Sequence, residues 1–142
     1  MIVDSSAIMA ILNEEPEAEA CLAAIRATRQ AKMSAATFLE CALVVDGYGR
    51  VDLSADLEPM VERLGVTLVP VSVEHVRLGR VAHQRFGRGS GHPARLNGGD
   101  CFAYALAKDT GEPLLSTGDD FSHTDVRSVF PRGSVEGVST QG

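Results

Sequence analysis

The chain has 142 residues, 44% of them hydrophobic and 23% charged, which excludes a disordered or fibrous protein and leaves room for one globular domain. Such a domain buries roughly two-thirds of the surface its unfolded chain exposes. The formal net charge of −6 excludes a protein that coats nucleic acid through overall positive charge.

The charges are sorted along the chain. Between His75 and Gly99 there is no acid, while Arg77, Arg80, Arg85, Arg88 and Arg95 fall there together with His75, His83 and His92. The cysteines, Cys21, Cys41 and Cys101, are odd in number and form no C-x-x-C pair, so neither a disulfide framework nor a zinc site is expected. They read as reduced, buried thiols, which suits the cytoplasm. The apolar start MIV is interrupted at Asp4 and again at Asn13 to Glu15. It is therefore neither a signal-peptide core nor a membrane span, and no membrane contact is expected.

In chain order, Ile2 and Val3 form a short apolar run that stops at Asp4, as a buried parallel strand does before its helix. A helix through Ala7 to Leu12 follows. Pro16 suits the first turn of the next helix, in which Ala18, Cys21, Leu22 and Ile25 recur at helical spacing as far as Arg29. A strand at Lys32 to Ser34 leads into a helix from Ala36 to Tyr48, ended by Gly47 and Gly49. Ser54 suits the N-cap of a helix from Ala55 to Leu64, Gly65 closes it, and Val66 to Val71 reads as the third strand. Ser72 caps a helix running to Phe86. The loop Gly87 to Pro93 then breaks the periodicity and is expected to be mobile. Asn97 opens the helix that carries Ala103, Leu106 and Ala107, Gly111 ends it, and Pro113 to Ser116 gives the fourth strand. A last strand is expected near Val126 to Phe130.

Strands alternating with helices predict an α/β fold, with a mostly parallel central sheet covered by helices on both faces in a three-layer α/β/α sandwich. Residues 131–142, rich in Gly, Ser and Thr without periodicity, read as a disordered tail beyond a domain spanning 1–130.

The acids have ordinary explanations as well as chemical ones. Asp4 can cap the helix that follows it. Thr37-x-x-Glu40 and Asn97-x-x-Asp100 both resemble capping boxes, and Asp119 and Asp120 stand in a glycine turn where aspartate is common. Position separates the readings. Asp4 follows the first strand and Asp119 the fourth, at the carboxyl edge where parallel sheets bind ligands. Glu40 and Asp100 stand in the first turns of helices on the same edge. Glu40 lies among Phe38, Leu39, Cys41, Ala42, Leu43 and Val44, with no Lys or Arg within seven residues, so burial of its charge calls for a bound cation. With no histidine or cysteine pair at ligand spacing, all-oxygen ligation favours Mg²⁺, or Mn²⁺ in its place. His123 is a minor candidate ligand beside that turn.

Four segments, MIVDSSAIMAIL, SAATFLECALV, LNGGDCFAYALA and LLSTGDDF, resemble in order and spacing the PIN-domain ribonucleases, and within them the VapC toxins of bacterial toxin–antitoxin pairs. The resemblance implies a metal-dependent endoribonuclease with a PIN-like α/β/α fold. Asp4, Glu40, Asp100 and an acid of the GDD turn, Asp119 in preference to Asp120, would gather Mg²⁺. It also implies a homodimer inhibited by a small cognate antitoxin. Phosphodiester hydrolysis by water would leave 5′-phosphate and 3′-hydroxyl ends. Arg85, Arg88 and Arg95 are the candidates for holding the RNA backbone. Two rivals stand beside this reading. A phosphatase of the haloacid-dehalogenase type needs a second Asp two residues after the first, where this chain has Ser6. A non-catalytic binding module would use its acids only as caps.

Overall fold

The structure is a computed structural model that describes residues 1–130, so the expected tail at 131–142 lies outside the described residues. Strand β1 (Ile2–Val3) is followed by α1 (Ser5–Leu12) and α2 (Ala18–Ala27), then β2 (Ala31–Ser34), α3 (Ala35–Asp46), α4 (Val51–Arg63), β3 (Val66–Val69), α5 (Val73–Phe86), α6 (Asp100–Thr110) and β4 (Leu114–Leu115). The strands form one parallel sheet in the order β3-β2-β1-β4. The chain thus moves outward from β1 to β3, then returns across β1 to place β4 on its other side. The order reverses between β1 and β4, and ligand crevices in open parallel sheets open at the carboxyl ends of the two strands flanking such a reversal.

Alternation along the strands separates two cores. Val3, Met33 and Leu115 face one side, where Ala7 and Ile8 of α1, Cys21 and Ile25 of α2, Cys41 and Val45 of α3, and Leu57 and Val61 of α4 cover them. Ile2 and Leu114 face the other side, under Ala82 and Phe86 of α5 and Tyr104, Leu106 and Ala107 of α6. This is the three-layer sandwich expected from the sequence. A one-residue slip of β1 would exchange Ile2 and Val3 between the cores, so register is strongly specified.

Local chemistry sets most element ends. Asp4, extended at φ −83° and ψ 159°, accepts a hydrogen bond from the Ser6 amide and starts α1 at Ser5. Ser72 caps α5 through the His75 amide at 3.0 Å, while its own amide donates to His75 Nδ1 at 3.4 Å. A histidine here fills the place usually taken by Glu or Gln. Gly111, left-handed at φ 72°, closes α6.

Several boundaries differ from those expected. Helix α4 begins at Val51, so Ser54 lies inside it and is not its cap. Leu53, Leu57 and Val61, spaced by four, set the phase of the buried face, and Asp52 in the first turn pairs with Arg50 at 2.8 Å. Pro59 stands within this helix on its exposed side, where water can satisfy the carbonyl left without a donor. Pro16 lies in the turn before α2, which starts at Ala18 and ends at Ala27. The segment at Val126 to Phe130 does not form a strand. Only Ser128 bridges to Leu114, through the Leu114 amide on Arg127 O at 2.8 Å and the Val129 amide on Leu114 O at 2.9 Å, and β4 is too short to carry the pairing further.

Candidate active site

Asp4 is 4% exposed and Asp100 8%, and both stand at the crevice where the strand order reverses. Asp4 directly follows β1, and its amide donates to Leu115 O at 2.9 Å. Its Oδ2 accepts from the Ser6 hydroxyl at 2.7 Å and the Ser6 amide at 3.1 Å. Asp100 opens α6 and makes the reciprocal pair expected of a capping box: the Asn97 amide donates to Asp100 Oδ2 at 3.0 Å and the Asp100 amide to Asn97 Oδ1 at 2.9 Å. The capping explanation thus accounts for Asp4, while Asp100 pairs with Asn97 across the turn that leads into α6.

It fails for Glu40. Helix α3 is capped by Ser34, whose hydroxyl oxygen accepts from the Ala36 amide at 3.3 Å. Thr37 lies inside the helix with its buried hydroxyl unpartnered among the described residues. The half-buried Glu40 reaches across to accept from the Ser5 hydroxyl at 3.2 Å. It also rests on Gly99, where any Cβ would overlap Glu40 Oε2. Lys32, the nearest cation before it in sequence, is engaged with Glu112 at 2.8 Å.

The electrostatics follow from this gathering. Burial raises the Asp4 carboxyl well above its ordinary value, and the negative charge of Glu40 adds to the effect. Burial likewise raises Glu40, with a further push from Asp100. Asp100 is pushed up to about 6, by burial first and then by the charges of Asp4 and Asp120, while the Asn97 amide and Arg88 oppose the shift. Of the two acids in the turn after β4, Asp120 is therefore the one whose charge acts on Asp100. Both acids are exposed, and the Asp119 carbonyl accepts from the Ser122 amide at 3.1 Å and hydroxyl at 2.7 Å.

Each of Asp4, Glu40 and Asp100 is turned to a neutral donor of its own surroundings. Among the described residues no three His, Cys, Asp or Glu side chains converge on one ion position as they stand. The donor set is nevertheless suited to a hard divalent cation: carboxylate oxygens, buried or half-buried, mutually repelling and without a lysine or arginine bonded to them.

The arginines divide. Arg88 is close enough to lower the Asp100 carboxyl. Its backbone is fixed by a hydrogen bond from its amide to Leu96 O at 2.9 Å, and the Leu96 amide donates back to Phe86 O at 2.8 Å. These bonds pin both ends of the glycine loop. Arg95 is exposed at φ +53°, in a shallow depression with Gly89, Gly91, His92 and Pro93. Arg85 is turned elsewhere, with its guanidinium 4.6 Å from the Phe86 ring centroid and 3.8 Å from Asp125. His123 is not among the groups that shift the site carboxyls.

Sequence reasoning missed Ser5, Ser6 and Gly99. The D-S-S triplet carries a hint, since serines beside a buried acid are its nearest donors. Nothing distinguishes Gly99 from Gly98 in sequence. The apolar neighbours of Glu40 also behave differently from expectation: Leu39, Leu43 and Val44 are exposed and, with Ala36 and Phe102, line an apolar groove beside Glu40. Helix α3 is apolar all round, with one face in the core and the other in solvent.

Among the described residues no helix is long and apolar enough to cross a membrane. The PIN-domain family matches residues 1–127. The chain is similar to ribonuclease VapC28 of Mycobacterium tuberculosis, with 46% identity over 132 residues that cover 93% of this chain and 99% of the relative. It is also similar to ribonuclease VapC42 of Mycobacterium tuberculosis, with 42% identity over 127 residues, 89% of this chain and 97% of the relative. Among solved structures the fold is similar to Mycobacterium tuberculosis VapC20, a toxin that cleaves the sarcin-ricin loop, with a TM-score of 0.71, 14% identity and coverage of 90% of this chain and 97% of that one. It is similar too to a toxin–antitoxin complex from Klebsiella pneumoniae, with a TM-score of 0.66, 16% identity and coverage of 85% and 89%. The chain belongs to the PIN-domain family, among the VapC ribonucleases.

Proposed function

We propose that the chain is a metal-dependent endoribonuclease, the toxin of a toxin–antitoxin pair, and that Asp4, Glu40, Asp100 and one acid of the Asp119–Asp120 turn hold Mg²⁺, with Mn²⁺ able to replace it. The observation that carries this reading is the cluster itself: acids drawn from three elements, each with a raised pKa, and no cation bonded to any of them. An uncompensated arrangement of this kind costs stability, and a divalent ion offsets the cost by favouring the charged form of every member. PIN-domain ribonucleases are generally metal-dependent.

When bound, a divalent cation lowers the pKa of water and offsets the negative charge that develops at the phosphate. The chain supplies the rest. Asp4 and Asp100 are the principal ligands. Glu40, held by Ser5, is placed to ligate or to orient the attacking water. Asp120 is the better supported fourth acid because its charge already acts on Asp100; Asp119 is the alternative. Arg88 and Arg95 attract the RNA backbone on the loop side of the crevice, whereas Arg85 is spent largely on Asp125 and Phe86. Water attack leaves 5′-phosphate and 3′-hydroxyl ends.

The cognate antitoxin and a second copy of the chain are the expected protein partners. The apolar groove of Leu39, Leu43, Val44 and Phe102 supports a protein-covered surface next to the acids. The buried free cysteines suit the cytoplasm. A phosphatase using two aspartates is disfavoured by Ser6, whose hydroxyl donates to Asp4.

Incubating the purified protein with a pool of structured RNAs, with Mg²⁺ or with chelator, alongside Asp4→Ala, tests the reading. Cleavage is expected only with metal and only in the unsubstituted protein. Metal-independent cleavage, or cleavage that survives Asp4→Ala, would overturn it.

A further inference from the structure

We propose that Ser6 is a positioning residue of the site, a clamp that joins the first acid to the turn carrying the fourth; this rests on the ribonuclease reading above. The Ser6 hydroxyl lies 2.7 Å from Asp4 Oδ2 and 3.0 Å from the Thr117 amide. A hydroxyl has one proton, an ionised carboxylate can only accept, and an amide can only donate. The direction of both bonds is therefore fixed: Ser6 donates to Asp4 and accepts from Thr117.

The placement of this bridge gives it its role. The backbone ladder between β1 and β4 ends where the Asp4 amide donates to Leu115 O at 2.9 Å. Two residues further along each segment, in the first turn of α1 and just past β4, the Ser6 side chain bonds the Thr117 backbone and makes one more rung. Beyond that rung the chain enters the turn with Gly118, Asp119 and Asp120. A local helix cap would need only the Ser6 amide on Asp4. The bond to Thr117 joins residues 111 apart in sequence and does nothing for the cap. It fixes the distance between Asp4 and the Asp119–Asp120 turn, and with it the spacing of ligands from two separate strands. Partners that orient ligands without touching the metal affect affinity or activity by about 10- to 100-fold.

Ser6→Ala and Ser6→Thr in the full chain test the clamp by two readouts. The first is hydrogen exchange of the Thr117 amide without added metal. It is expected to be protected in the unsubstituted protein, at least about tenfold faster in Ser6→Ala, and protected again in Ser6→Thr. The second is RNA cleavage with Mg²⁺: kcat in Ser6→Ala is expected to fall about 10- to 100-fold with KM for RNA changed less than about twofold, and Ser6→Thr restores it. An unprotected Thr117 amide in the unsubstituted protein would overturn the clamp without any variant, as would kcat in Ser6→Ala within about twofold of the original. If the unsubstituted protein cleaves no RNA, the ribonuclease reading fails, while the exchange measurement still decides whether Ser6 holds the turn.

Discussion

The Glu40 carboxylate rests directly on Gly99, and a Cβ at that position would overlap Glu40 Oε2. Gly99 has φ −66° and ψ −40°, a helical conformation open to any residue, so its glycine is required by the contact alone. Gly99→Ala should displace the flexible Glu40 side chain and leave the fold intact, lowering kcat by about 10- to 100-fold with a stability change under about 1 kcal/mol. Gly98 has nothing within 4 Å of a built Cβ, so Gly98→Ala is the matched control and should retain activity. Paired cleavage assays and thermal melts check both variants.

The raised acids make the site a stability cost as well as a source of function. The Asp100 carboxyl lies at about 6, above its ordinary 3.8, so the folded form binds this proton more tightly than the unfolded one. The sign follows: the contribution of Asp100 becomes unfavourable as pH rises from about 4 to about 6, and the penalty persists above. Asp100→Asn should therefore raise stability by about 1–3 kcal/mol at pH 7.5 in chelator and change little at pH 4. Added Mg²⁺ should stabilise the unsubstituted protein and leave Asp100→Asn where it was. Melting curves at the two pH values, with and without metal, check each part.

Glu112 has the opposite sign. It bonds the amino group of Met1 at 2.6 Å and Lys32 Nζ at 2.8 Å, which hold its carboxyl down at about 2, Lys32 contributing most. Its stabilisation is complete above the ordinary value of 4.5 and is lost as pH falls through about 2. Glu112→Gln should cost on the order of 2 kcal/mol at pH 7, and denaturant titrations should show the gap narrowing below pH 4.5.

The arginines should separate by kinetics. Arg88, beside Asp100, and Arg85, engaged with Asp125, stand on the same basic segment with different surroundings. Arg88→Ala should raise KM for RNA and reduce the steepness of its salt dependence by about one charge. Arg85→Ala should leave KM nearly unchanged and destabilise by less than about 1 kcal/mol, the usual worth of an exposed ion pair.

Much of this site was legible because parallel sheets write their functional edge into the sequence. An apolar run ending in Asp4, and a second ending before the glycine turn of Asp119 and Asp120, place acids at the carboxyl edge without tertiary information. Glu40 was legible through an absence, since no nearby cation could balance it. What sequence did not reveal depends on distance in space. Gly99 matters only because Glu40 arrives from another helix, and Ser6 because Thr117 arrives from the segment beyond β4. Ser54 was misread because its capping chemistry is real but local, and the four-residue spacing of Leu53, Leu57 and Val61 had already begun the helix. The segment at Val126 to Phe130 has the composition of a strand, but its neighbour β4, Leu114–Leu115, offers too little edge to pair with.

The ends of the RNA products and the acids needed to make them test the carboxylate cluster most directly. Cleavage of a defined RNA by the unsubstituted protein in Mg²⁺ should give 5′-phosphate and 3′-hydroxyl ends. Asp4→Asn, Glu40→Gln, Asp100→Asn and Asp120→Asn should each lose activity by at least about 100-fold, and Asp119→Asn should retain most of it. Products ending in 2′,3′-cyclic phosphate, or full activity after Asp100→Asn, would contradict hydrolysis by a metal-binding carboxylate cluster.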